Sequence, residues 1–194
     1  MKICDLFYSI QGEGFHVGKA AIFIRFYGCD LTCSFCDEPL HKEIYDEFSD
    51  EEILVKIKKF PSKFIVLTGG EPSLYELSDF IKKLQGESYF VAIETNGLQP
   101  SNIEVANWIT YSPKNWNTIK FEPFFDEIKL IVNHLSNTDQ ILEIASKITK
   151  PIYIQPEGTQ KDVINRNVQH CVQLVERFPK LRISLQTQKL IHIQ

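Results

Sequence analysis

A chain of 194 residues, 43% of them apolar, is long enough to bury a sizeable core, and residues 1–194 read as a single domain. The formal net charge of −4 argues against nucleic acid as the main partner. With no run of eighteen apolar residues and no signal-peptide pattern before the first strand, neither a membrane span nor export is expected, and the expected location is the cytoplasm. Five cysteines, three of them crowded between positions 29 and 36, do not form a disulfide framework. In a reducing compartment such crowding favours metal. Cys4 and Cys171 read as structural, Cys171 as a small buried hydrophobe.

Ile3 to Ile10 alternates loosely, as a short strand does, and runs into Gln11-Gly12-Glu13-Gly14. Glycines on both sides of a carboxylate permit a sharp turn or a close approach to a ligand; a plain turn is the alternative. Ala21 to Tyr27 reads as a strand with one charge, Arg25, among Ile22, Phe23, Ile24 and Phe26. A charge in a buried strand needs a partner, so Arg25 is either a salt-bridge member or an anion clamp. Directly after it come Cys29, Cys33 and Cys36, spaced C-x3-C-x2-C. Iron–sulfur clusters are normally held by four cysteines, so three on one loop suggest a [4Fe–4S] cluster with one iron left open. A zinc site is the alternative, with Asp30, Asp37 or His41 as fourth ligand; unrelated thiols are the third reading.

Ser49 and Glu52 make a capping box ahead of Ile53, Leu54, Ile57 and Phe60, which predicts a helix. Phe64 to Leu67 is a short apolar strand ending in Thr68-Gly69-Gly70-Glu71-Pro72, followed by a helix over about Tyr75 to Gln85. Further strands are expected at Tyr89 to Ile93, Trp108 to Tyr111, Glu127 to Val132 (carrying Lys129), Pro151 to Ile154 and Arg182 to Gln186. Helices are expected over about Thr138 to Ile148 and Asp162 to Phe178. Strands short enough to be buried on both faces, alternating with helices, mark a parallel sheet wrapped by helices. The chain falls short of a full eight-fold barrel, so the expected fold is α/β, an incomplete parallel β/α barrel of about six strands. A flavodoxin-like open sheet is the alternative. Ligands bind at the carboxyl edge of such sheets. The cysteine loop, Gly69-Gly70-Glu71, Glu94-Thr95-Asn96, Ser112-Pro113-Lys114 and Gln155 would therefore share one mouth.

C-x3-C-x2-C with Phe35 before the last cysteine, then Gly-Gly-Glu-Pro after the next strand, resembles the radical S-adenosylmethionine (SAM) enzymes. That resemblance implies a [4Fe–4S] cluster on Cys29, Cys33 and Cys36, and SAM chelated to its open iron. Phe35, Gly69, Gly70, Glu71, Glu94, Ser112, Pro113, Lys114 and Gln155 would line SAM. Phe7 to Gly14, Arg25-Phe26, Cys36-Asp37, Glu94-Thr95-Asn96-Gly97, Ser112-Pro113-Lys114, Gln155-Pro156 and Arg182 to Thr187 are similar, end to end, to the 7-carboxy-7-deazaguanine synthase family.

Membership in that family implies a lyase, usually a homodimer, that contracts 6-carboxy-5,6,7,8-tetrahydropterin to 7-carboxy-7-deazaguanine with loss of ammonia, towards queuosine and related deazapurines. Flavodoxin or ferredoxin would supply the electron that cleaves SAM, and the resulting radical would take hydrogen from C6 of the pterin. Neither a nucleic acid nor a membrane is an expected partner. Ile10, Gln11, Gly12, Glu13, Gly14, Arg25, Thr68, Gly69, Gln188 and Gln194 would form the substrate pocket. Arg25 would hold the substrate carboxylate, for which a guanidinium fork is suited, and Glu13 the donor edge of the pterin.

The resemblance also implies Mg2+ beside the residue after Cys-Asp, which is Glu38 here where the family has Thr or Ser. Gln188 stands where the family has His; it can hydrogen-bond but cannot titrate near neutrality, so its expected role is binding only. Two rivals remain open on the residues alone: a glycyl-radical-enzyme activase, and a zinc- or cluster-bearing interaction module without enzyme activity.

Overall fold

A computed structural model describes residues 1–121, 124–159 and 162–193. Its nine strands are β1 (Lys2–Ile10), β2 (Ala20–Phe26), β3 (Asp46–Glu47), β4 (Phe64–Gly69), β5 (Phe90–Thr95), β6 (Trp108–Tyr111), β7 (Glu127–Val132), β8 (Ile152–Pro156) and β9 (Leu181–Ile183). The helices are α1 (Asp50–Ile57), α2 (Ser78–Gly86), α3 (Thr138–Lys147), α4 (Asn165–Arg177) and α5 (Thr187–Leu190). All nine strands join one sheet in the order β3-β1-β2-β4-β5-β6-β7-β8-β9. From β2 to β9 every pairing is parallel. The incomplete parallel β/α barrel is therefore present, its last strand only three residues long.

The opening differs from an all-parallel reading. β1 pairs antiparallel with β2, Ile10 standing opposite Ala20, and the two-residue β3 adds to its outer edge. The connection over 11–19 therefore leaves from the end of the sheet at which the parallel strands begin. There the His16 ring packs edge-on against Phe64, Phe90 and Trp108, the first residues of β4, β5 and β6. Phe15 stacks on Trp108 at 4.7 Å. This segment forms the floor of the barrel.

Alternation of side chains along each strand separates the two faces. Ile22, Ile24, Phe26, Ile65, Leu67, Val91, Ile93 and Ile109 face the helices and make the main core with Ile53, Ile57, Phe80, Ile81, Leu84, Ile141 and Leu174. The opposite parity faces the lumen. Near the floor it is apolar, with Ala21, Phe64, Val66 and Ala92 packed against Phe23 and Trp108. One or two residues further along, the same faces turn polar with Arg25, Thr68, Glu94, Ser112, Lys129 and Gln155.

Local signals hold where they are strongest. Ser49 and Glu52 form the capping box that starts α1, as the sequence predicts. The helix expected from Tyr75 begins later, at Ser78. Pro72–Leu74 is instead a short 3-10 turn, and the Tyr75 hydroxyl donates to the Tyr27 carbonyl at 2.8 Å. Ile93 is fully buried between sheet and helices. Ile93→Ala should lower unfolding free energy by about 2–5 kcal/mol, the range for deleting a buried branched side chain, as read from the denaturant midpoint.

Candidate functional site

The barrel encloses a cavity of about 410 Å³. One end is lined by Cys29, Cys33, Phe35, Cys36, Gly69, Gly70 and Glu71, and the body by Gln11, Gly12, Glu13, Arg25, Thr68, Glu94, Ser112, Lys114, Gln155 and Gln188. Ile10 and Glu38 also lie on the wall. Sequence reasoning therefore drew its candidates from across the chain into one space. Gly14 and Pro113 lie outside the lining; Gly14 serves the floor, its N–H donating to Ser184 Oγ at 3.0 Å. Gln194 lies outside the described residues.

The cysteine loop follows β2. All three thiols are free and half-buried. Cys36 N–H donates to the Cys33 carbonyl at 3.2 Å, and Leu31 N–H donates to Cys29 Sγ at 3.4 Å. Burial pushes the Cys29 thiol up to about 11, so its thiolate needs a cation, which bound iron supplies. Among the described residues no three His, Cys, Asp or Glu side chains converge closely enough to share one ion. A four-iron cluster takes each of three thiolates on a separate iron and leaves one iron open. The donor set fits the cluster.

Gly70 lets the β4 loop lie against the cysteine loop. A Cβ there would stand 1.7 Å from the Gly28 carbonyl oxygen, whereas Gly70 N–H and Glu71 N–H donate to the carbonyls of Phe26 and Gly28. Glu71 is 1% exposed. Its Oε1 accepts from Ser73 N–H at 3.0 Å and the Thr95 hydroxyl at 2.5 Å, and its Oε2 from Asn96 N–H at 2.6 Å. Burial nevertheless raises its pKa. Asn96 in turn donates to Asp30 at 2.8 Å, which joins the loops after β2, β4 and β5.

At mid-depth sits Lys129, 5% exposed. Its Nζ donates to Glu13 Oε2 at 2.5 Å and to Glu94 Oε2 at 2.9 Å. Glu13 Oε1 accepts from Gln186 at 2.9 Å and Gln188 at 3.0 Å, and Glu94 Oε1 accepts from Gln11 at 3.3 Å. Burial works against the charge on Glu13, but Lys129 overrides it and holds the carboxyl down at about 2. Lys129 is raised in return by its two carboxylates despite burial. Gly12 packs directly on Gln188: a Cβ would meet its Oε1 at 1.7 Å and displace that side chain. Two buried polar atoms on this wall, Ser112 Oγ and Gln188 Oε1, have no hydrogen-bond partner among the described residues. Buried polar groups are rarely left so, and both fit a ligand that completes them.

Arg25 is paired with Glu38 and, at 3.7 Å, with Asp5. Its guanidinium also lies 4.8 Å from the centre of the Phe7 ring. Asp37 accepts from Gln186 at 2.7 Å and pairs with Lys189 at 3.1 Å. Lys129 and Gln186 were missed as site residues, and Asp37 was weighed only as a zinc ligand. Lys129 carried the same signal as Arg25, a lone charge in an apolar strand; Gln186 had none beyond its neighbours.

A model of the radical SAM superfamily matches residues 23–151 of the chain. The 7-carboxy-7-deazaguanine synthase of Bacteroides thetaiotaomicron is 38% identical over 193 residues, covering 100% of this chain and 98% of that protein. The synthase of Haemophilus influenzae is 36% identical, covering 100% and 94%. Among solved structures, QueE from Escherichia coli superposes with a TM-score of 0.78 at 25% identity, covering 96% of this chain and 93% of that one.

Two outcomes follow from the buried charges. Lys129→Met leaves two carboxylates without their cation, so unfolding free energy at neutral pH should fall by about 3–5 kcal/mol. The loss should shrink in acid, where protonation relieves their repulsion; denaturant unfolding at both pH values checks this. Glu127, which accepts from Thr110 and Phe15, is pushed up to about 7 by burial and by Glu94. Its folded-state pKa lies above the ordinary 4.5, so its contribution is complete below that value and is lost as pH rises through about 7. Relative to Glu127→Gln, the wild type should lose stability between about pH 5 and 8.

Proposed function

The chain belongs to the 7-carboxy-7-deazaguanine synthase family of the radical SAM superfamily, and on that premise we propose how its own residues carry the synthase reaction. The reaction is the radical ring contraction of 6-carboxy-5,6,7,8-tetrahydropterin to 7-carboxy-7-deazaguanine with loss of ammonia. The observation that carries this reading is the single cavity in which three free thiols and the Glu13–Lys129–Glu94 group face one another. When bound, the cluster and SAM supply one-electron cleavage of a sulfonium and hence a hydrogen-abstracting carbon radical. Everything else the protein contributes is binding, orientation and exclusion of water.

Cys29, Cys33 and Cys36 would hold the cluster. Gly69 and Gly70 would offer SAM their backbone, Phe35 and Lys114 would flank it, and Glu94, Ser112 and Gln155 would give it polar partners. Glu71 acts there by fixing the loops after β4 and β5. On the pterin side, Glu13 is kept ionised by Lys129 and oriented by Gln186 and Gln188. It is thus a fixed acceptor for the N–H donors of the ring. Gln188 Oε1 and the polar groups of Gln11 and Thr68 complete that wall, with Ile10 and Gly12 shaping it.

Arg25 would take the substrate carboxylate. Arg25 is paired with Glu38, and Glu38 would be an oxygen ligand for Mg2+, a hard ion that prefers oxygen. The whole chain would act as one domain, as a homodimer in the cytoplasm, with flavodoxin or ferredoxin as electron donor. No helix among the described residues is long and apolar enough to cross a membrane.

Anaerobic incubation with SAM, dithionite, Mg2+ and the tetrahydropterin should yield 7-carboxy-7-deazaguanine, identified by mass spectrometry, from protein carrying about four irons per chain. Cys29→Ala, Cys33→Ala and Cys36→Ala should each abolish turnover. An active, cluster-bearing variant of any of the three would falsify this assignment.

A further inference from the structure

His41 lies in the 3-10 turn Pro39–Lys42 that follows the cysteine loop. Its backbone carbonyl accepts from Gly28 N–H at 2.7 Å, which ties the turn to the start of that loop. The residue is 2% exposed. Nε2 of its ring is 3.6 Å from Cys36 Sγ. Nδ1 is buried with no hydrogen-bond partner among the described residues, on the side of Gly70, where a Cβ would come within 3.2 Å of it.

These contacts settle the tautomer. A neutral imidazole has one N–H and one bare nitrogen. A proton on Nδ1 would be a buried donor with nothing to accept it, and orphaned buried donors are rarer than orphaned acceptors. The one proton of a neutral ring therefore belongs on Nε2, facing the sulfur, and a charged ring carries an N–H there as well. The separation suits an N–H···S contact, which the larger radius of sulfur makes longer than N–H···O.

We propose that His41 donates an Nε2–H···Sγ hydrogen bond to Cys36 and thereby raises the reduction potential of the cluster that Cys29, Cys33 and Cys36 hold. Reduction of the 2+ cluster to 1+ adds one electron and changes no bond or proton. Part of that added charge falls on the thiolate sulfurs. A donor aimed at a sulfur is bound more tightly by the more negative state, so it stabilises the reduced form; hydrogen bonds to the sulfurs are among the controls on cluster potential. Leu31 N–H stands in the same relation to Cys29 at 3.4 Å, but as backbone it cannot be varied by substitution. His41 acts through Cys36, and its effect is to ease loading of the electron from the external reductant.

The inference rests on the cluster reading above. Its test is an EPR-monitored redox titration of the anaerobically reconstituted full chain, wild type against His41→Leu and His41→Gln. With the donor removed, His41→Leu should be reduced about tenfold less favourably, a midpoint about 59 mV more negative for a one-electron couple. His41→Gln, which keeps an N–H donor, should fall between. Equal midpoints for wild type and His41→Leu at equal iron content overturn the role of His41 and leave the cluster reading intact; a wild type that takes up no iron overturns both. Should His41→Leu not retain a cluster, the wild type decides by itself. Pulsed EPR of the reduced cluster with 15N-histidine incorporated should show one weak nitrogen coupling. No coupling, or a strong one from nitrogen bound to iron, overturns the proposal.

Discussion

The Lys129 ammonium, held between the Glu13 and Glu94 carboxylates, is the interaction on which the inner architecture depends. A lysine and two carboxylates buried together are tolerable only as a set, because each charge alone would carry the full cost of desolvation. Glu13 comes from the floor segment, Glu94 from β5 and Lys129 from β7, so the group joins three parts of the chain distant in sequence. Gln186 and Gln188, from the C-terminal turn, close on Glu13 from the other side. The first and last functional stretches of the chain meet across this one carboxylate.

The upper storey is built on a second buried carboxylate with the opposite electrostatics. Glu71 has no cation; backbone and hydroxyl donors surround it, and burial raises its pKa. Its function in the fold is geometric. It fixes the loops after β4 and β5 against each other, and through Asn96 and Asp30 it fixes the cysteine loop as well. The paired glycines after β4 fit that role. Gly70 leaves room for the Gly28 carbonyl, so the loop that would bear SAM packs directly on the loop that would bear the cluster.

Much of this was legible in residue order. The short apolar strands alternating with amphipathic helices pointed to the parallel sheet, the Ser49–Glu52 box marked the start of α1, and the spacing of Cys29, Cys33 and Cys36 pointed to a cluster. These are local signals, because strand burial, helix capping and loop spacing all operate within a few residues. The ends of the cysteine loop were less legible. Arg25 could be read as a salt-bridge member or an anion clamp, and the structure gives it Glu38 and Asp5 as partners, neither of which strand periodicity could select.

The sequence by itself determined the parallel sheet wrapped by helices, since short apolar strands buried on both faces alternate with helices along the chain. It also determined that the strand ends bear polar clusters. Only the tertiary structure decided that β1 runs antiparallel to β2, and so that Gln11 and Glu13 enter the cavity from the floor, opposite the end that holds the cysteines. Only it decided that Lys129 is their counter-ion and that His41 lies against Cys36. The physical reason is the range of the forces involved. Backbone periodicity and caps are written in neighbouring residues, whereas the pairing of a buried charge depends on which distant segments the folded sheet brings within hydrogen-bond reach.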